Sequence, residues 1–424
     1  MDRTHKVEYF AMFLVASVVI TVSFFQGLSF RGVAFSFFYI TGRVVMLDAV
    51  YSTLVFSTIT LFLTAFLVKE VYSRKPIPHV TSGPGVAAIV PAYKDAEVLG
   101  DTISSLMDSN YKDLDVYAVC EPDDKETIEK AEKLPCEVLM NKNPGSKAEA
   151  LNTAFKSIET DYYALFDADE LVDPDFIPNA VGYLEEGYEA FQGRRIPLTG
   201  GWVENLAYCE RAMNRNFSKL MEIVGFRYVK SSSTIITKDV WKRVGGYDDM
   251  ITEDVDFSHK CYREKVKTKT DKRLTNSMEA PHCFKDFLGQ RKRWAIGEVE
   301  IISKALHRNY KTNKDLRALT STALIILAVF APLFLIGLMA KITSLVILSI
   351  EPFYFLPIVA AAVPTLSLSY RDKEKAGFIG FYSLLSFFGG VITALLGIKA
   401  VFEYLISHTG EWYRIEKQGN LSEE

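Results

Sequence analysis

The chain has 424 residues, enough for more than one domain with a full core. Its net charge of −4 lacks the basic excess that nucleic acid attracts, and 13% aromatic content with slightly positive mean hydropathy departs from a purely soluble composition. Cys120, Cys136, Cys209, Cys261 and Cys283 show no C-x-x-C spacing, which argues against a disulfide frame or structural zinc and suits a reducing compartment.

From the N-terminus, residues 9–30 and 49–68 each carry no charge and match the length of a membrane-crossing helix. The first exceeds a signal-peptide core and is followed at once by the second, so it reads as an anchor. Lys69, Glu70, Arg74, Lys75, Pro76, Pro78 and Gly83-Pro84-Gly85 then mark a linker leaving the membrane. Residues 86–313 are mixed and charged, and uncharged or nearly uncharged stretches return at 318–340, 342–370 (broken only by Glu351) and 376–398.

The expected division is therefore 1–72 with two membrane helices, a middle domain at 76–316 ending in interfacial helices, and 317–424 with about three helices and a short tail. Arg3 and Lys6, then Lys69, Arg74 and Lys75, and then Arg371, Lys373 and Lys375 put the N-terminus and the middle domain in the cytosol of a multi-pass protein. Five full spans would leave residues 410–424 outside, yet Trp412-Tyr413-Arg414 and Lys417 read as a cytosolic interfacial anchor. One C-terminal stretch is thus expected to be re-entrant or interfacial.

Within the middle domain, strands are predicted at 86–90, 116–119, 138–140 and 162–166, alternating with helices at 97–108, 125–133 and 147–158. This alternation predicts an α/β domain with a mostly parallel sheet, whose ligands sit at the carboxyl ends of the strands.

The residues with chemistry come directly after those strands. Asp167-Ala168-Asp169 succeeds the apolar YYALF, where paired carboxylates suit Mg²⁺ or Mn²⁺ bridging to a diphosphate. Pro91-Ala92-Tyr93 ends the first strand, where a nucleotide base can rest. Glu121 ends the second, either accepting from a base N–H or, with Asp123 and Asp124, capping the next helix. Lys147 opens a helix after Asn143-Pro144-Gly145-Ser146 and reads as a phosphate ligand or a surface lysine.

Further on, Thr252-Glu253-Asp254 comes after the Gly245-Gly246-Tyr247-Asp248 turn and supplies either a general base or a helix cap. Gln290-Arg291-Lys292-Arg293-Trp294 offers cations for a diphosphate and an aromatic face for a sugar, or else a juxtamembrane anchor. His282 is a possible contact to metal or diphosphate, without a partner histidine.

In this order the motifs Pro91-Ala92-Tyr93, Glu121, Asp167-x-Asp169, Thr252-Glu253-Asp254 and Gln290-x-x-Arg293-Trp294 resemble the family 2 inverting glycosyltransferases, in particular the cellulose, hyaluronan and chitin synthase branch. The resemblance covers about residues 86–294. It implies a GT-A fold beside a helical transmembrane domain, and a nucleotide-diphosphate-sugar donor, GDP- or UDP-linked, with Mg²⁺ or Mn²⁺. It also implies Asp169 as direct metal ligand, Asp167 nearer the nucleotide, Asp254 as catalytic base, Arg293 at the diphosphate and Trp294 at the acceptor.

The chain departs from the pattern in having Glu121 where an aspartate is usual, Ser231-Ser232-Ser233-Thr234 where glycine-rich sequence is common, and fewer C-terminal spans. The first bears on contacts to the base; the last two argue against processivity. The modest C-terminal helix set and the interfacial placement favour single addition to a lipid-linked acceptor, such as a polyprenyl phosphate or lipid-linked glycan, over processive polysaccharide synthesis, which Gln290-x-x-Arg293-Trp294 would favour. A catalytically inactive scaffold is the alternative of another class.

Overall fold

The computed structural model describes residues 31–37, 40–46, 49–311, 316–332, 334–339, 342, 352–407, 413, 417 and 419. The expected first span at 9–30 lies outside them, as do Trp412 and Arg414. Residues 31–46, between the two expected spans, form an antiparallel pair, β1 (Arg31–Phe37) and β2 (Ile40–Met46), in keeping with their valine, isoleucine and phenylalanine content. Helix α1 (Ala49–Val71) then covers the second expected span and continues through Lys69.

The alternating region folds as expected. β3 (Val86–Ala92), α2 (Leu99–Met107), β4 (Leu114–Cys120), α3 (Lys125–Ala131), β5 (Glu137–Met140), α4 (Lys147–Ser157) and β6 (Tyr162–Leu165) succeed one another, and β3, β4, β5 and β6 pair in parallel. Side chains alternate across a strand, so successive residues meet different cores. Val86, Ala88 and Val90 of β3 join Leu99, Ile103 and Leu106 of α2 on one face, while Ala87 and Ile89 join Leu151, Ala154 and Phe155 of α4 on the other. Both faces are covered, which is why these strands read as continuous apolar runs.

The second half is mixed. β7 (Glu170–Leu171), α5 (Phe176–Glu185), β8 (Ala190–Pro197), α6 (Trp202–Ile223), β9 (Thr234–Thr237), α7 (Lys238–Val244), α8 (Glu253–Arg263) and β10 (Thr268–Met278) complete a sheet of order β5-β4-β3-β6-β9-β8-β10-β7 among the described residues. β9 runs antiparallel to β6 and β8, whereas β8 and β10 are parallel, with a register irregularity between Thr270 and Thr275. Gly193 of β8 is required by close packing: a Cβ there would lie 2.3 Å from the Phe176 ring of α5.

The chain then leaves through α9 (Phe284–Lys311), α10 (Leu316–Phe330), α11 (Leu356–Ala376) and α12 (Leu385–Ser407). Among the described residues, three helical stretches are long and apolar enough to cross a membrane: Ser52–Val71, Leu316–Met339 and Gly380–Ile406. α11 is not one of them. It carries Pro364 and ends in Arg371-Asp372-Lys373-Glu374-Lys375, expected as an inter-span loop but here the last turns of the helix.

Those turns grip the sheet. Arg194 of β8 forms a two-pronged ion pair with Asp372, both 2% exposed, and Tyr208 of α6 donates to the same carboxylate at 2.6 Å. α6 is the layer between sheet and helices. Its Tyr208, Cys209 and Ala212 pack on Leu67 and Val71 of α1 and Leu368 of α11, and its Met213 on Phe56 and Phe387.

Candidate active site

The parallel register aligns Ala92 with Cys120, and Cys120 with Met140, so the residues just beyond β3, β4, β5 and β6 collect at one sheet edge. Tyr93 is exposed there, with the Lys94 ammonium 5.1 Å from its ring centre; Pro91 is half-buried and Ala92 buried. Glu121 is buried and already engaged: Asn141 Nδ2 donates to one oxygen at 2.7 Å and the Gly145 N–H to the other at 3.0 Å. It thereby holds the loop leading to Lys147. The capping role falls to Asp124, which accepts from the Thr127 N–H at 3.3 Å.

Asp167 and Asp169 come after β6 in contrasting environments. Asp167 pairs with Lys147 and with Arg195 of β8. Burial works against its charge, but these two cations hold its carboxyl far below the ordinary carboxylate range. Burial raises Asp169, as do the charges of Asp167 and Asp95. Lys417, expected in an interfacial anchor, lies instead at this edge, its Nζ 2.8 Å from Asp95 Oδ1 and 3.7 Å from Asp169 Oδ2. Tyr413 donates to Asp286 of α9 at 2.7 Å, and a Cβ on Gly289 would come within 2.4 Å of its ring. These two tail residues therefore lie on the catalytic-domain side of the molecule.

Lys147 also comes within 3.9 Å of Glu253. Burial lowers its pKa, but Asp167 and Glu253 outweigh that and hold it charged. Glu253 accepts from Ser231 at 2.9 Å, and burial together with Asp254 pushes its carboxyl up to about 6. Thr252 precedes α8 in the capping position but makes no side-chain cap. Asp254 is half-buried, one oxygen taking its neighbour's N–H (Val255, 2.8 Å).

Arg293 is half-buried close to Glu253, Asp254 and Asp167; burial lowers its pKa, and the three carboxylates counter this only in part. Gln290 is buried and accepts from Arg291, which pairs with buried Glu210 of α6 at 2.8 Å. The Trp294 ring lies 4.6 Å from the Arg291 guanidinium carbon and 5.2 Å from that of Arg211. His282 is held by Glu279 at 2.6 Å and Glu204 at 3.1 Å; burial lowers its pKa, but the two carboxylates win and raise it.

Several residues here carry little or no signal in the sequence. Arg195 looks like an outward strand residue, and Lys417 has no local signal. Asp95 lies three residues past the Pro91-Ala92 strand end, and Glu170 extends the D-A-D-E run, so both had a signal in spacing. Glu170 is wholly buried, bound by Ser233 and by Asn276 at 2.9 Å, and burial pushes its carboxyl up to about 7. Ser233 adopts φ 46° in the serine run that replaces glycine.

This is an α/β domain of GT-A type, with carboxylates and cations gathered at the sheet edge. The sequence profile described as "Glycosyltransferase like family 2" matches residues 84–297, half of the chain, and the chain belongs to that family. It is 24% identical over 260 residues to the poly-beta-1,6-N-acetyl-D-glucosamine synthase of Staphylococcus aureus (strain COL), covering 57% of this chain and 61% of that one. The corresponding synthase of Staphylococcus epidermidis is 25% identical over 248 residues, covering 54% and 58%. The matches thus span about three-fifths of these curated relatives. In fold, the chain is similar to the mannosyltransferase PcManGT from Pyrobaculum calidifontis, solved with GDP-Man and Mn²⁺, at a TM-score of 0.53 and 16% identity, covering 82% of this chain and 99% of that one.

Proposed function

We propose that this protein is a membrane-bound inverting glycosyltransferase that moves a sugar from a nucleotide-diphosphate sugar to a membrane-associated acceptor, with its catalytic domain in the cytosol. The observation that carries the reading is that Asp167 and Asp254, from opposite halves of the domain, lie close to the same two cations, Arg195 and Arg293. Donor and base chemistry thereby share one electrostatic centre.

Among the described residues, no three His, Cys, Asp or Glu side chains form a ready metal cage. The residues nonetheless fit a divalent ion: Asp169 offers hard oxygen donors, and Asp95 and Asp169 already draw an ammonium between them. Mg²⁺ or Mn²⁺ held by Asp169, with Asp167 nearer the nucleotide, would offset diphosphate charge on the leaving group.

Asp254 takes the acceptor hydroxyl proton as that oxygen attacks the anomeric carbon. The bond from this carbon to the diphosphate oxygen breaks, and the configuration inverts. Lys147 and Arg293 bind the departing diphosphate. Pro91, Ala92, Tyr93 and Glu121 line the nucleotide end, and Gln290, Trp294 and Glu253 shape the acceptor end. Single addition to a lipid-linked acceptor is the first reading, consistent with two membrane-length C-terminal helices among the described residues. Processive polymer synthesis is a second reading, favoured by the similarity to poly-N-acetylglucosamine synthases and by Gln290-x-x-Arg293-Trp294.

The test is nucleotide release and sugar transfer by the full chain in nanodiscs, with a panel of GDP- and UDP-sugars. Turnover should require Mg²⁺ or Mn²⁺, be lost in Asp169→Ala, and fall about 10²- to 10⁴-fold in Asp254→Asn. Undiminished turnover in Asp254→Asn would remove the base from the mechanism. Product size separates single addition from polymerisation.

A further inference from the structure

The catalytic centre leaves three cations unaccounted for. Asp167 is committed to Lys147 and Arg195, and outside the centre Asp372 pairs with Arg194 and Glu210 with Arg291. Arg211 has no carboxylate partner among the described residues, and its guanidinium lies over Trp294. Arg215 donates to the Arg195 carbonyl, and the Lys230 ammonium lies 5.0 Å from the Tyr228 ring centre. Neither has an ion-pair partner among the described residues.

These three groups are neighbours. Arg211 and Arg215 stand one turn apart on α6 and so share a face. Lys230 is pinned by its own N–H to Gln192 Oε1 at 2.7 Å and feels the charges of Arg195, Arg211 and Arg215. Burial and the like charges of Arg195 and Arg291 lower Arg211; burial and Arg194 lower Arg215 to about 9. Carboxylates act on them only at longer range, Glu210 on Arg211, Asp372 on Arg215, and Asp254 and Glu298 on Lys230, and none of these forms an ion pair with them among the described residues. Half-buried like charges without a direct counterion are costly. Such a cluster suits a ligand that brings the missing negative charge.

The cluster borders the donor end through Arg215, which donates to the Arg195 carbonyl, and extends away from it along α6. The donor carboxylates lie just past β6, whereas Arg211 and Arg215 sit on α6, whose Cys209, Ala212 and Met213 pack on the apolar helices. On the other side, Lys230 feels Asp254, the proposed base. A ligand spanning these groups has a hydroxyl at Asp254, negative charge at Arg211, Arg215 and Lys230, and an apolar part toward the helices.

We propose that Arg211, Arg215 and Lys230 form a phosphate-binding site for a lipid-borne acceptor, with the phosphate joining the lipid to the sugar that is extended. This rests on the glycosyl-transfer reading for its purpose, but phosphate binding is measurable without turnover. Arg supplies forked donors matched to phosphate oxygens, and Lys230 adds a point charge. Arg211 over Trp294 would then station the phosphate beside the residue proposed for the acceptor end.

The experiment uses the full chain in phosphatidylcholine nanodiscs. Binding of a polyprenyl diphosphate, the matching polyprenol and phosphatidylglycerol is compared by native mass spectrometry and thermal stabilisation. The wild type should bind the diphosphate lipid and not the polyprenol. Arg211→Gln, Arg215→Gln and Lys230→Gln should each weaken that binding about tenfold or more, the loss of one charge-assisted hydrogen bond. Nucleotide-diphosphate binding with Mn²⁺ should stay unchanged, and Arg211→Lys should recover part of the lipid affinity, which a merely unfolded variant cannot do. Equal binding of polyprenol, equal binding of phosphatidylglycerol, or weakened nucleotide binding in the variants would each overturn the proposal. Lipid diphosphate binding without any nucleotide-sugar turnover would retain the phosphate site and reject the transferase reading.

Discussion

Glu170 has no solvent exposure, and burial pushes its carboxyl from the ordinary 4.5 up to about 7. An acid whose folded pKa lies above its unfolded value binds its proton more tightly in the native state. Its contribution to stability is therefore greatest below about pH 4.5, declines between about 4.5 and 7, and is least favourable above. Glu170→Gln keeps the shape of the protonated acid, with an amide oxygen that can still accept from Ser233 and Asn276. This variant should melt higher than wild type at about pH 8 and show a flatter melting profile between about pH 5 and 7. Parallel profiles for the two proteins would contradict the assignment. The same residue shows why spacing alone under-reads this site. Glu170 adjoins the legible Asp167 and Asp169, but its surroundings come from Ser233 and Asn276, both distant in sequence.

At the scale of elements, α11 ties the C-terminal helices to the sheet through one buried ion pair. Asp372→Ala would strand the Arg194 guanidinium, which also donates to the Lys272 carbonyl at 2.9 Å. Breaking one side of a buried pair typically costs about 3–5 kcal/mol, whereas replacing both partners with apolar residues costs far less. Asp372→Ala should therefore lower the melting temperature of the purified protein strongly, and the double variant Arg194→Met with Asp372→Leu should recover much of the loss. Equal melting of single and double variants would show that the pair does not hold α11. β8 and β10 belong to this scale too. Their sequences AFQGRRIP and TKTDKRLTNSM read as polar, yet both lie largely buried in the sheet because their charges meet partners from α1, α6 and α11.

Across the whole molecule, Lys417 reaches Asp95 and Asp169, residues more than 240 positions earlier. A divalent ion at Asp169 must share these carboxylates with, or displace, that ammonium. A partly exposed pair of this kind is worth up to about 1 kcal/mol, so Lys417→Ala should lower the Mn²⁺ concentration for half-maximal thermal stabilisation by up to about fivefold. An unchanged or higher midpoint would mean the tail does not compete with metal.

Features that depend on near neighbours could be read from the order of residues. β3 to β6 and their helices were legible because apolar runs, caps and turns act over a few residues, and Asp167, Asp169, Glu121 and Asp254 lie at strand ends or turns that can be counted. Which charges meet was settled by packing. Arg195 beside Asp167, Asp372 beside Arg194, Lys417 beside Asp169, and Arg211 left without a carboxylate among the described residues all arise from packing between elements far apart in the chain. Coulomb energies depend on distance through space and on burial, and neither quantity is written in the order of residues.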